Sequence, residues 1–185
     1  MKITPIEHGL DLLASDLVRS EGLHASGIYN ALYHELEPNR YTDTPPDALK
    51  MALGTAWEQY LEAQLVRSGL PLIRPGEFMT KEGVAFSPDG LIQNGETVLA
   101  EYKLTWQSSR NSIDAPQFSK YWTQIKYYCH NLDLTKARLY IFHVNGDYSR
   151  PFKPVLKVYA AEFSTQELKD NQEMLHNFAR SRKLL

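Results

Sequence analysis

The sequence predicts an α/β or α+β domain, a small central sheet flanked by helices, because segments of helical period alternate with short apolar runs bounded by turn residues. The helical segments carry apolar residues at intervals of three and four, and the runs between Leu70 and Lys103 are broken by Gly, Pro and Asn. A chain of 185 residues, 43% hydrophobic and 23% charged, has the size of a domain that buries well over half of its unfolded surface. Residues 1–185 are therefore expected to form a single domain.

Ile28, Leu32, Tyr33 and Leu36 give helical spacing from Ser26 to Leu36, with Ser26 as the expected N-cap. Pro38, Pro45 and Pro46 then mark a loop before a second helix from Ala48 to Ser68, which Gly69 ends. The stripe Leu49, Leu53, Ala56, Trp57, Tyr60, Leu61 and Leu65 should face a core, with Glu58 at its edge. Phe78-Met79, Val84–Phe86, Leu91-Ile92 and Val98–Ala100 read as a strand meander, with Asn94-Gly95 as a hairpin turn. A third helix is expected over Pro116–Asn131. Strands follow over Ala137–Val144 and Val155–Phe163, around an Asn145-Gly146-Asp147 turn. Ser164 and Glu167 form a capping box that opens a last helix.

Composition excludes several classes. The formal net charge of −2 is not that of a globally basic nucleic-acid binder, so any such contact must be local, through Arg19, Lys103, Arg110, Lys120, Lys126, or Arg180, Arg182 and Lys183 in the tail. One cysteine, Cys129, allows neither a disulfide framework nor a thiolate metal cluster, and it is expected to be buried. The six histidines lack ligand spacing for zinc. No apolar run approaches the ~20 residues of a membrane span, and Met1 to Leu10 lacks the basic-then-apolar pattern of a signal peptide. The expectation is a cytoplasmic protein without a membrane partner.

The chemistry concentrates in the hairpin Pro88-Asp89-Gly90 … Glu101-Tyr102-Lys103. If Asn94-Gly95-Glu96 is a three-residue loop, Gln93 pairs with Thr97 and Asp89 falls opposite Glu101, with Cβ atoms ~5 Å apart. A two-residue turn would set Asp89 opposite Ala100 instead and require a bulge. Strand alternation projects Glu101 and Lys103 from one face and Tyr102 from the other. Two such acids repel unless a cation lies between them, and an all-oxygen ligand set suits Mg²⁺ or Mn²⁺. Lys103 could orient a metal-bound water or offset developing charge. The competing reading makes Asp89 a turn residue beside Pro88, and Glu101 with Lys103 a surface pair on a sheet edge.

Two further pairs bear on the choice. Gly54 precedes Glu58 by one helical turn and would let the helix approach another backbone closely, making Glu58 a third metal-ligand candidate. Its alternative is a solvated position beside Trp57. Gln124 and Tyr128 share one helical face, where they could support the site or a DNA strand, or merely pack.

Gly54 with Glu58, Pro88-Asp89, Glu101 with Lys103, and Gln124 with Tyr128 stand in an order that resembles the phage lambda-type and recombination-type exonucleases of the PD-(D/E)XK superfamily, over about residues 19 to 130. The resemblance implies a mixed sheet with flanking helices in a restriction-endonuclease-like core. It implies one or two Mg²⁺ or Mn²⁺ ions on Glu58, Asp89, Glu101 and the Tyr102 carbonyl, with Lys103 assisting hydrolysis. Arg19 and Ser26 resemble the segment of lambda-type enzymes that receives a terminal 5′-phosphate, although Gly27 stands where those enzymes carry an acid. An arginine and a serine at a helix N-terminus also make physical sense as an anion site.

The expected function is metal-dependent hydrolysis of DNA phosphodiesters. The resemblance points to an exonuclease working 5′ to 3′ from duplex ends, in phage-type recombination or end processing, with assembly of several subunits around the duplex as one way to strengthen the grip. The alternatives are a structure-selective endonuclease of the same fold and a non-catalytic nucleic-acid-binding module.

Overall fold

A computed structural model describes residues 20–39 and 48–185. The main sheet has five strands in the order β2-β5-β6-β7-β8: β2 is Leu72–Ile73, β5 Gly90–Asn94, β6 Glu96–Thr105, β7 Lys136–His143 and β8 Val155–Glu162. β6 and β7 are parallel and the other neighbours antiparallel, so the sheet is mixed, as expected. A second sheet joins β1 (Leu23–His24), β4 (Val84–Phe86) and β3 (Phe78–Met79). The expected single meander is thus two units: Phe78–Phe86 forms its own hairpin, while Gly90–Thr105 supplies strands to the main sheet.

Side-chain alternation along β6 divides the molecule into layers. Leu99 faces α1 (Ala25–Leu36), α3 (Ser119–Asn131) and α4 (Thr165–Ser181), joining Ile28, Ile125, Cys129, Leu139, Ile141 and Leu175 in the larger core. Ala100 and Tyr102 face the other way, into a smaller core with Ile92, Tyr140 and Leu61 of α2 (Ala48–Arg67). Strand β6 therefore lies inside the sheet with a helical layer on each side. The capping box at Ser164 and Glu167 is present at the start of α4.

Several expectations need correction. His24, not Ser26, is the N-cap of α1, because Leu23 and His24 are drawn into a parallel pairing with Val84 and Ala85 and the chain passes straight from strand to helix. Ser26 lies in the first helical turn. The long apolar stripe of α2 is mostly not core: Leu61 is buried, Trp57 and Leu65 are half-buried against the sheet, and Leu49, Leu53 and Tyr60 are exposed. A helix of 20 residues is about 30 Å long, and this one meets the smaller core only through the ridge at Trp57, Leu61 and Leu65. Gly54 is not a close-approach glycine either, since no described atom lies within 4 Å of where its Cβ would be. The third helix opens with a short 3₁₀ turn, Pro116–Phe118, before α3.

Candidate active site

The β5–β6 hairpin adopts the register of the three-residue loop: Gln93 pairs with Thr97 and Gly90 with Ala100, with Gly95 alone at the tip at φ +74°. Continued by one residue, that register sets Asp89 opposite Glu101. β5 begins only at Gly90, because the Asp89 side chain takes over the ladder: its Oδ2 accepts the backbone N–H of Tyr102 at 2.7 Å. A charged acceptor on a backbone donor is among the stronger hydrogen bonds, and here it ties the turn acid to the strand carrying the second acid. Gly90 makes the close approach possible. A Cβ there would lie 2.7 Å from Leu72 Cδ1 and 3.0 Å from the Tyr102 hydroxyl oxygen.

Glu101 is 1% exposed and sits on an interior strand, which disposes of the surface-pair reading. Its Oε1 accepts Lys103 Nζ at 2.5 Å and Gln124 Nε2 at 2.5 Å, whereas its buried Oε2 has no hydrogen-bond partner. A buried carboxylate with one oxygen doubly donated and the other unpartnered is costly unless a further positive group completes it. Burial, with Asp89 adding its own negative charge, raises the Glu101 carboxyl to about 8 even with Lys103 beside it. For Lys103, burial opposes the charge, but Glu101 and Asp89 outweigh it and hold the ammonium protonated. Its Nζ also lies 5.8 Å from the centroid of the Tyr121 ring.

Gln124 and Tyr128 do more than pack. Both are buried on one face of α3, where the Gln124 amide bridges Glu101 and the Tyr128 hydroxyl, the latter at 3.2 Å. They back the acid from the protein side and do not lie open to solvent. Lys120, one turn nearer the start of α3, donates to Asn30 of α1 at 2.9 Å. Burial, and then Lys103, shift its ammonium downward.

Glu58 approaches from α2, the helix on the opposite face of the sheet from Glu101. Its carboxyl is raised to about 7 by burial and by Asp89, so it belongs to the same electrostatic cluster. Among the described residues, however, no three His, Cys, Asp or Glu side chains close into a ready metal cage. Glu101 accepts from Lys103 and Gln124 on the α3 side of β6, whereas Glu58 belongs to the helix packed on the opposite side of the sheet. Asp89, Glu101 and Lys103 are thus brought together and Glu58 stands near them. Arg19 lies outside the described residues, so the expected Arg19–Ser26 anion site falls outside them too. Of the other basic candidates, Arg110 pairs with Asp147, Lys126 with Glu167 and Arg182 with Glu35.

One neighbour is absent from the sequence reading. Tyr29, buried on α1, lies in the field of Lys103, Glu101 and Asp89, and burial above all raises its hydroxyl to about 12. Its only sequence signal is a polar-tipped ring among Ile28, Leu32 and Tyr33 on the apolar face of α1.

No protein-family model matches the sequence, and no curated protein is similar to it in sequence. The fold does have counterparts. A phage-related exonuclease from Haemophilus somnus 129PT is 16% identical and superposes with a TM-score of 0.53 over 84% of this chain and 78% of its own. An alkaline exonuclease from Laribacter hongkongensis is 15% identical, with a TM-score of 0.50 over 92% of this chain and 82% of its own. The chain has the fold of these exonucleases, the restriction-endonuclease-like core that the order of motifs implied.

Proposed function

We propose that this chain is a Mg²⁺- or Mn²⁺-dependent deoxyribonuclease, an exonuclease that hydrolyses DNA from duplex ends, 5′ to 3′, in phage-type recombination or end processing. The observation that carries the reading is Glu101: a buried carboxylate beside Asp89, one oxygen fixed by Lys103 and Gln124 and the other without a partner. The donor set fits a hard divalent cation, since it is built from carboxylate oxygens with no thiolate or imidazole among them. Asp89, Glu101 and the Tyr102 carbonyl would hold the ion, with Glu58 joining from α2. When bound, such an ion polarises a phosphodiester and lowers the pKa of water in its coordination sphere.

The chain's own groups have distinct work. Asp89 is aimed by its bond to the Tyr102 N–H and keeps its other oxygen for the ion. Lys103, held charged against Glu101, is the group that orients the attacking water or balances the charge growing on the phosphate oxygens. Gln124 fixes the rotamer of Glu101, which keeps Oε2 turned away from Lys103. With a net charge of −2, the protein would grip DNA through these few groups and gain from assembly of several copies around a duplex. An Arg19–Ser26 pocket for a terminal 5′-phosphate belongs to the same proposal.

The test is a cleavage time course on linear duplex DNA with a 5′-phosphate or a 5′-hydroxyl, in Mg²⁺, Mn²⁺ or EDTA, beside closed circular DNA and a Lys103→Ala control. Progressive loss from phosphorylated ends, abolished by EDTA and by the substitution, is expected. Cutting of closed circles would replace the exonuclease with an endonuclease. No metal-dependent cleavage of any DNA would leave a binding module.

A further inference from the structure

The connection between β7 and β8 carries two large rings that the fold leaves in solvent: Tyr148 is 50% exposed and Phe152 51%. Both are held in place. The neck of the connection is closed so tightly that a Cβ on Gly146 would fall 2.0 Å from the Lys153 carbonyl oxygen. Beyond the neck, the Tyr148 hydroxyl donates to the Trp106 carbonyl, and the two rings meet edge to face with centroids 6.4 Å apart. The Arg110 guanidinium braces the same loop, donating to Asp147 at 2.7 Å and to the Ser149 hydroxyl at 3.1 Å. Rings fixed in this way have little freedom left to lose when a flat partner stacks on them.

Charge and position narrow the partner. Arg110 balances Asp147, which leaves Arg150 and Lys153 as loop cations without an ion pair among the described residues. Arg150 stands beside the Phe152 ring, 5.7 Å from its centroid. Trp106, to which Tyr148 is tied, follows Lys103 by three residues, about 10 Å along the strand direction. Cations beside open aromatic faces suit a chain of phosphates that carries flat bases. Paired bases are already stacked on one another, so unpaired ones offer the face. An apolar protein surface would strip water from Arg150 and Lys153 and return no acceptor.

We infer that the β7–β8 connection is a contact for unpaired DNA: Tyr148 and Phe152 stack on bases while Arg150 and Lys153 meet phosphates, at the end of β6 toward which Lys103 lies. The inference rests on the nuclease reading above, because removal of one strand from a duplex end leaves the other unpaired.

Binding is measured in EDTA by fluorescence anisotropy, with a labelled thymidine oligonucleotide, an abasic oligonucleotide of equal length and a blunt duplex. Wild type is compared with Phe152→Ser, Phe152→Tyr and Tyr148→Asn, with thermal melts in parallel. Asparagine tolerates the left-handed backbone of Tyr148, at φ +66°, so that variant loses the ring without added strain. The expected result is about tenfold weaker binding of the thymidine oligonucleotide by Phe152→Ser and by Tyr148→Asn. Phe152→Tyr, which keeps a ring, should match wild type, and no variant should change on the abasic oligonucleotide or the duplex. Equal affinity of wild type for the thymidine and abasic oligonucleotides overturns the inference, and so does equal affinity of wild type and Phe152→Ser for the thymidine oligonucleotide. A matching loss on the duplex overturns it too, as a general effect on the fold. Cleavage in Mg²⁺ is scored separately. Cleavage without ring-dependent binding sinks the inference and leaves the nuclease standing, whereas ring-dependent binding without cleavage keeps the contact and refutes the nuclease.

Discussion

Metal binding should be steeply pH-dependent between about pH 6.5 and about pH 8.5, because the carboxyls that would receive the ion hold their protons unusually late. Glu58 is raised to about 7, by burial and Asp89, and Glu101 to about 8, by burial and Asp89. A divalent ion binds the deprotonated acids and must displace whatever protons they carry. Treating the two groups as independent, affinity changes little above about pH 8.5, falls toward tenfold per unit as Glu101 protonates, and falls more steeply once Glu58 follows. Over the two units the product of the two protonation factors is about a hundredfold loss of affinity. The assay is titration calorimetry with Mn²⁺ in two buffers of different ionisation enthalpy, which returns both the affinity and the number of protons released. Release should rise from near none at the alkaline end to more than one at the acid end. An affinity flat across the window, with no protons released, would refute the argument that these acids are protonated in the metal-free protein.

The same carboxyls should shape stability without metal. Their folded pKa values stand above the ordinary 4.5, so their contribution is fully present below the unfolded value and is lost as pH rises through about 7 for Glu58 and about 8 for Glu101. Denaturant midpoints in EDTA should therefore decline over that range, by up to about 1.4 kcal/mol per unit per group, and Mn²⁺ should remove the decline. Gly90→Ala forces a Cβ to within 2.7 Å of Leu72 Cδ1 and 3.0 Å of the Tyr102 hydroxyl oxygen, and should destabilise by about 1–3 kcal/mol in urea melts. Gly54→Ala meets open space in the middle of α2 and should stabilise by about 0.5–1 kcal/mol, so a loss there would restore the close-approach reading of that glycine.

Local pattern by itself determined most of the site's skeleton. The Asn-Gly turn marks the hairpin and strand alternation separates the Leu99 and Tyr102 faces of β6, but the choice between the two registers such a turn allows, and with it the placing of Asp89 against Glu101, was made by the folded sheet. The four-residue spacing of Gln124 and Tyr128 likewise guarantees a shared helical face. Tertiary structure decided what no spacing records. It buried Glu101 by setting β6 inside a five-stranded sheet, and it turned Gln124 onto that acid. It buried Tyr29 of α1 in the same core as Tyr128 of α3, and it left much of the α2 stripe outside the core. Glu58 approaches from the other face of the sheet, a relation set by the packing of α2 through Trp57, Leu61 and Leu65 and by nothing in its local motif. Periodicity fixes which residues share a face, since it is a property of the backbone. The partner that face meets is a property of long-range packing, and so are the burial and charge that give the site its chemistry.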